Sequence, residues 1–225
     1  EPSTPALAAR LGDLGVEIAE GQTAEINLDL DRWAHELESV LDQGFVLTID
    51  YGHWAEELYS AERRYRGTLT TFYRHTQTDA PFRHIGSQDI TSHVDFTSVV
   101  QAGRRKGLEI LGFCTQGQFL SSLGLNQFRK RLSSLGLPDS VVQANRAGML
   151  DLVRPGGLGD FKVLAQGKGV GEPDLWGFGS SGLADVAEEE AEQVPVPLLT
   201  GQHLSVLAGR YPHAAVLEGH WPPKD

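Results

Sequence analysis

Cysteine is nearly absent. Cys114 is the single one in 225 residues, so no disulfide framework can form within the chain and no multi-cysteine zinc site is available. Long apolar runs are missing too. No window approaches the roughly 20 apolar residues of a membrane-spanning helix, and no apolar signal segment opens the chain. Positive charge is scarce: 19 Lys and Arg stand against 30 Asp and Glu, a formal charge of −11. That disfavours non-specific binding to nucleic acid or to an anionic membrane, both of which need clustered cations. The phosphate loop G-x-x-x-x-G-K-[ST], the dinucleotide fingerprint, the G-x-S-x-G elbow and H-E-x-x-H are all absent. The 8 histidines show no two-ligand helical spacing, so no metal is expected. The only methionine is Met149 and the chain opens Glu1-Pro2-Ser3, so a processed chain or a piece of a longer one is expected. What is present, 40% hydrophobic and 22% charged residues, suits a globular core. The expectation is one domain with a tail, in a reducing compartment.

The hydrophobic pattern predicts an α/β chain. Leu30, Trp33, Ala34, Leu37, Val40 and Leu41 share one helical face, with Asp29 or Asp31 as N-cap and Gly44 as stop. Phe45 to Asp50 reads as a fully apolar strand of a buried parallel sheet. That predicts joint burial of Trp33, Leu37, Leu41, Phe45, Leu47 and Ile49. Residues 53–92 read as a long polar, aromatic-rich loop. A helix capped by Asp95 or Thr97 runs to Lys106, a strand follows over 108–113, and short helices fill 118–151. Phe161 to Gln166 reads as a last strand at or near a sheet edge, because it is partly polar. The divisions are an N-terminal segment over 1–24 whose order is left open, a domain over 25–172, and an acidic, Pro- and Gly-containing tail over 173–225.

Three clusters could carry chemistry. Asp50-Tyr51-Gly52 closes a strand, where open α/β sheets bind ligands; Asp50 could equally serve the turn's own amides. Asp89, His93 and Asp95 surround a helix start, and Asp95 is a good N-cap in its own right. Arg66-Gly67-Thr68 with His75 lies in the long loop, where an arginine could clamp an anion or simply sit on the surface. Cys114 reads as a small buried hydrophobe. The glycine-rich Gly167 to Gly171 has no amphipathic helix behind it.

In order along the chain stand GFVLTIDYG (Gly44 to Gly52), Arg66-Gly67-Thr68-Leu69, His75, DITSHVDFT (Asp89 to Thr97), Gly107-Leu108, TQGQFL (Thr115 to Leu120) and Phe161-Lys162-Val163-Leu164. This series resembles the MidA family of S-adenosylmethionine-dependent methyltransferases, which includes the mitochondrial arginine methyltransferase that assists respiratory complex I assembly. The resemblance covers about residues 25–170. It implies a Rossmann-like class I methyltransferase sheet with helical insertions, of which this chain is the C-terminal half. It implies S-adenosyl-L-methionine as cofactor, held by a glycine-rich loop, an acidic ribose contact and an Asn-Glu-Phe-Phe-Asp-like segment that all lie upstream. The 225 residues alone are therefore expected to be inactive and to bind cofactor weakly or not at all. The implied activity is protein arginine methylation, with Asp50, His93 and Asp95 in catalysis. Tyr51, Gly52, Arg66, Thr68, His75 and Asp89 would line the substrate. The partner is a protein substrate; homo-oligomers are left open. The location is cytoplasmic if the source is bacterial and mitochondrial if it is eukaryotic. The alternative is a non-enzymatic assembly or interaction module.

Overall fold

The computed structural model describes residues 3–74, 76–179 and 193–198. The expected tail falls almost wholly outside them, as does His75. The chain divides into two compact units. One comprises residues 1–113 with 162–173, the other 114–161 with 174–225.

The first helix, α1 (Pro5–Leu14), starts on a proline and stops at Gly15, whose φ of 65° is the left-handed conformation that glycine adopts freely. The second, α2 (Leu30–Val40), follows the apolar spacing as far as Leu37 and ends at Leu41; Val40, expected on the same face, is 81% exposed. Arg10, on α1, is buried and donates to the Asp31 carboxylate at 2.6 Å. Arg105 bonds the same carboxylate. The Arg105 hydrogen bond, with help from Arg10, holds the Asp31 carboxyl below its usual range.

The strands are β1 (Gly44–Asp50), β2 (Gly52–His53), β3 (Thr70–Tyr73), β4 (Thr76–Thr78), β5 (Asp89–Thr91), β6 (Val94–Asp95), β7 (Glu109–Thr115) and β8 (Lys162–Lys168). They form one sheet of order β1-β8-β7, a second of order β4-β3-β5, and a parallel pair β2-β6. Between them lie α3 (Ala55–Leu58), α4 (Ala61–Arg64) and α5 (Phe96–Arg104). In the first unit Phe96, Val99 and Val100 of α5 pack with Leu164 of β8, and Leu30 and Trp33 of α2 close over them. A second cluster of Ala55, Leu58 and Tyr59 receives Leu14, Val16 and Ile18. The other unit holds α6 (Gln116–Ser122), α7 (Leu125–Arg131) and α8 (Asp139–Leu152) around Leu125, Leu132, Val142 and Met149. Thr115 and Gln118 form a reciprocal capping box at the start of α6.

Four expectations are corrected. The strand at 44–50 is not in a parallel sheet: β1 pairs antiparallel with β8 along its whole length. Residues 53–92 are not one loop: they carry α3, α4 and a three-stranded sheet of their own. The strand at 162–168 is not at an edge. It lies between β1 and β7, antiparallel to β1, with Val163 to Gly167 buried. Of the polar residues that suggested an edge, Lys162 stands at the end of the strand and Gln166 is fully buried; Lys168, at the other end, reaches the Leu41 carbonyl at 2.8 Å. The joint burial of Phe45, Leu47 and Ile49 also fails. A strand sends alternate side chains to opposite faces. Val46 and Thr48 turn inward, whereas Phe45, Leu47 and Ile49 are 53%, 51% and 46% exposed. The continuous apolar run suits a strand covered on both faces. Among the described residues, β1 is covered on one face and paired on one edge.

Candidate functional site

The sheet end at Asp50 turns through Tyr51 into β2, which pairs in parallel with β6: Gly52 opposite Val94, His53 opposite Asp95. This short pairing gathers two of the three sequence clusters. Gly52 is required there, because a Cβ would strike the Val94 carbonyl and the Phe96 ring. Val94 N–H donates to the Tyr51 carbonyl at 2.9 Å. The third cluster arrives through Glu25. Its Oε2 accepts from the Thr68 amide at 2.8 Å and from the Thr68 hydroxyl at 2.9 Å. Thr68 Oγ1 in turn accepts from the His93 amide at 3.0 Å.

Asp50, Tyr51, Gly52, Thr68, His93 and Asp95 are thus brought together. Arg66 and Asp89 are not: both are exposed, Asp89 in β5 opposite Phe72. His75 lies outside the described residues. Two of the gathered carboxylates are already engaged. Asp50 Oδ1 accepts from the Tyr51 amide at 2.8 Å, closing its own turn. Asp95 is buried and caps α5, accepting from Ser98 N at 3.1 Å, Ser98 Oγ at 2.5 Å and the Tyr59 hydroxyl at 3.3 Å. Burial and the Asp95 charge push the Tyr59 hydroxyl pKa far up, so it stays a donor.

His93 is different. Its Nδ1 is buried and has no hydrogen-bond partner. The ring stacks on His53 at 5.3 Å and meets Tyr51 edge-on at 5.4 Å. His53 is fixed from two sides. Arg64 Nη2 lies 2.6 Å from its Nε2, so Nε2 must accept and the ring is neutral. Glu57 lies 3.0 Å from its Nδ1, off the direction a good hydrogen bond needs. Burial is the main cause that lowers both histidine pKa values; Arg64 adds to it in each case. Both rings are therefore neutral at pH 7. A histidine whose folded pKa is lowered binds fewer protons than in the unfolded chain, so stability falls as pH drops through the unfolded value. NMR titration is expected to place both midpoints below 6.5. A His93 midpoint at or above 6.5 would contradict this electrostatic picture.

Beside His93 opens a cleft of about 580 Å³ within the first unit. Glu25, Asp29, Glu36 and Asp95 contribute carboxylates, Trp33 an aromatic wall, and Arg32 the one cation of its lining. Arg32 lies 3.2 Å from Asp29 and 4.0 Å from Glu36, in exposed pairs. The sequence reading missed Glu25, His53, Glu57 and Arg64. Only the placement of His53 directly after Gly52 could have flagged one of them. Cys114, in the other unit, is half-buried and burial raises its thiol pKa, which suits a packing role.

Residues 1–114 match the model of the family described as "Putative S-adenosyl-L-methionine-dependent methyltransferase". The chain belongs to this family. Two solved structures from Burkholderia thailandensis are similar. One is an uncharacterized COG1565 superfamily protein, 29% identical, with a TM-score of 0.69 over 83% of this chain and 49% of that one. The other is a COG1565 superfamily member bound to S-adenosyl-homocysteine, 29% identical, with a TM-score of 0.67 over 83% of this chain and 47% of that one. The chain spans about half the length of these relatives. No curated protein matched.

The family's cofactor is S-adenosyl-L-methionine. Among the described residues no strand enters a helix through a glycine-rich turn that would present free amides. β6 runs straight into the Asp95 cap, and β7 into the Thr115 capping box.

Proposed function

We propose that this chain is the C-terminal, acceptor-side half of a Rossmann-like methyltransferase of MidA type, and that the complete protein methylates arginine in a protein. The carboxylate-lined cleft beside His93 carries this reading. A guanidinium is held through charge-assisted hydrogen bonds to carboxylates. Arg32 rests between Asp29 and Glu36 in exposed pairs, which are worth little, so an incoming arginine can exchange with it. Trp33 offers a face on which a planar cation packs. The neutral His93, which lines this cleft, is the candidate to take the proton that an arginine nitrogen must lose when it is alkylated. Thr68 and Glu25 hold the backbone of His93, and His53 holds its ring. The half-domain reading rests on β1, whose second edge and outer apolar face leave room for further strands and covering helices.

The same apolar row, Phe45, Leu47 and Ile49, favours a second reading as an interaction module without catalysis. The two are separated with a longer chain of the length of the solved relatives. That protein, supplied with S-adenosyl-L-methionine and arginine-containing peptides, is expected to yield methylarginine by mass spectrometry. Tight cofactor binding with methyl on another residue type would overturn the acceptor assignment. Absence of cofactor binding would favour the module.

A further inference from the structure

The small sheet β4-β3-β5 carries a second cavity, of about 340 Å³, lined by Tyr73, Arg74, Thr76, Thr78, Arg83 and His84. Nothing in the methyl-transfer reading uses it. The Tyr73 and His84 rings stack at 3.9 Å with 6° between their planes. The Arg74 guanidinium sits 5.3 Å from the Tyr73 ring centre. Neither Arg74 nor Arg83 has an ion pair among the described residues, in a chain whose formal charge is −11. Several other arginines are paired: Arg10 and Arg105 on Asp31, Arg63 on Glu57, Arg154 on Asp151. Cations left unpaired against an aromatic pair are available to a ligand.

The backbone adds an independent observation. Arg74 and His84 are the two non-glycine residues with positive φ among those described, at 49° and 51°, and both line this cavity. Arg74 directly follows β3, at a position where Asn or Gly adopts such a φ at least cost. An arginine there trades turn stability for a guanidinium at the cavity mouth.

We propose that this cup binds acidic side chains of a polypeptide, the protein acceptor of the proposed reaction. The proposal rests on the reading of a protein acceptor. Carboxylates would lie against the Arg74 and Arg83 guanidinium groups, with the Tyr73–His84 stack as floor. Binding should weaken with salt, since the contacts are exposed.

The test uses the 225-residue chain without cofactor, so its failure leaves the methyltransferase reading untouched, and a failed transfer assay leaves this result untouched. Hexaglutamate, hexalysine and inorganic phosphate are titrated in parallel by NMR and calorimetry. Hexaglutamate is expected to shift the Tyr73 and His84 ring signals and to bind about tenfold or more weakly to the Arg74→Gln/Arg83→Gln variant. Arg83→Gln alone, at an exposed side chain outside the turn, should give part of that loss with an unchanged melting temperature. Absence of hexaglutamate binding at low salt, equal binding by the variants, or equal binding of hexalysine would overturn the proposal. Inorganic phosphate binding the same ring signals more tightly than the peptide would overturn the assignment to a polypeptide.

Discussion

Asp95→Ala is expected to lower the stability of the folded chain by about 2–4 kcal/mol, a large share of the roughly 5–15 kcal/mol that holds a domain together. Three contacts go at once. The α5 cap at Ser98 N contributes about 0.5–2 kcal/mol. The buried Ser98 hydroxyl loses its acceptor, and an unsatisfied buried polar group costs about 1–3 kcal/mol; the Tyr59 hydroxyl loses one acceptor and keeps the Glu25 carbonyl at 3.4 Å. Part of this is recovered if the site relaxes, so the sum is not simply additive. Asp95→Asn should cost less, since an amide oxygen can still cap. Urea denaturation at constant m-value measures both. Asp95 then acts as framework, and methyl transfer per folded molecule should survive its loss. Unchanged stability with abolished transfer would return it to the chemistry.

His93→Ala should do the opposite in a complete protein that carries this chain. Removing a proton acceptor or charge-assisted contact worth about 1.5–3 kcal/mol in the transition state lowers the rate roughly 10- to 150-fold. The melting temperature should move little, because His93 is half-buried and only its ring contacts with His53 and Tyr51 are lost. A second signature separates base from support. Because burial lowers the folded pKa of His93, the acid-side decline of wild-type transfer should have its midpoint below the ordinary histidine value. Full activity in the alanine variant would leave His93 a packing residue. A decline that begins above pH 7 would assign the base to another group.

The sequence carried the local structure further than the pairing. The α2 face, the Asp95 cap, the strand after Gly107 and the strand after Phe161 were all legible, because period, caps and glycine stops act over a few residues. The position of β8 between β1 and β7 was not, since strand order depends on contacts across more than a hundred residues. The exposed row on β1 was misread for the same reason: an apolar pattern states that a face needs cover without stating which chain supplies it. In the site, His93 was legible by its place before a helix. Its neighbours His53, Arg64 and Glu57 were not, because they come from a segment whose polar composition resembles a loop. Glu25 stood just before the α2 pattern with no periodicity to mark it, and its role appears only through Thr68.

Calorimetry on paired peptides decides whether the cleft beside His93 holds a cationic acceptor. One peptide carries arginine; its twin carries citrulline, the same shape without the charge. In the complete protein the arginine peptide should bind more tightly than its twin, and Asp29→Asn/Glu36→Gln should weaken it about tenfold or more while leaving the citrulline peptide unchanged. Asp29 makes no side-chain cap bond and Glu36 is exposed, so both changes should leave the fold intact. Equal affinity for the two peptides, or an arginine peptide indifferent to the two substitutions, would contradict the account.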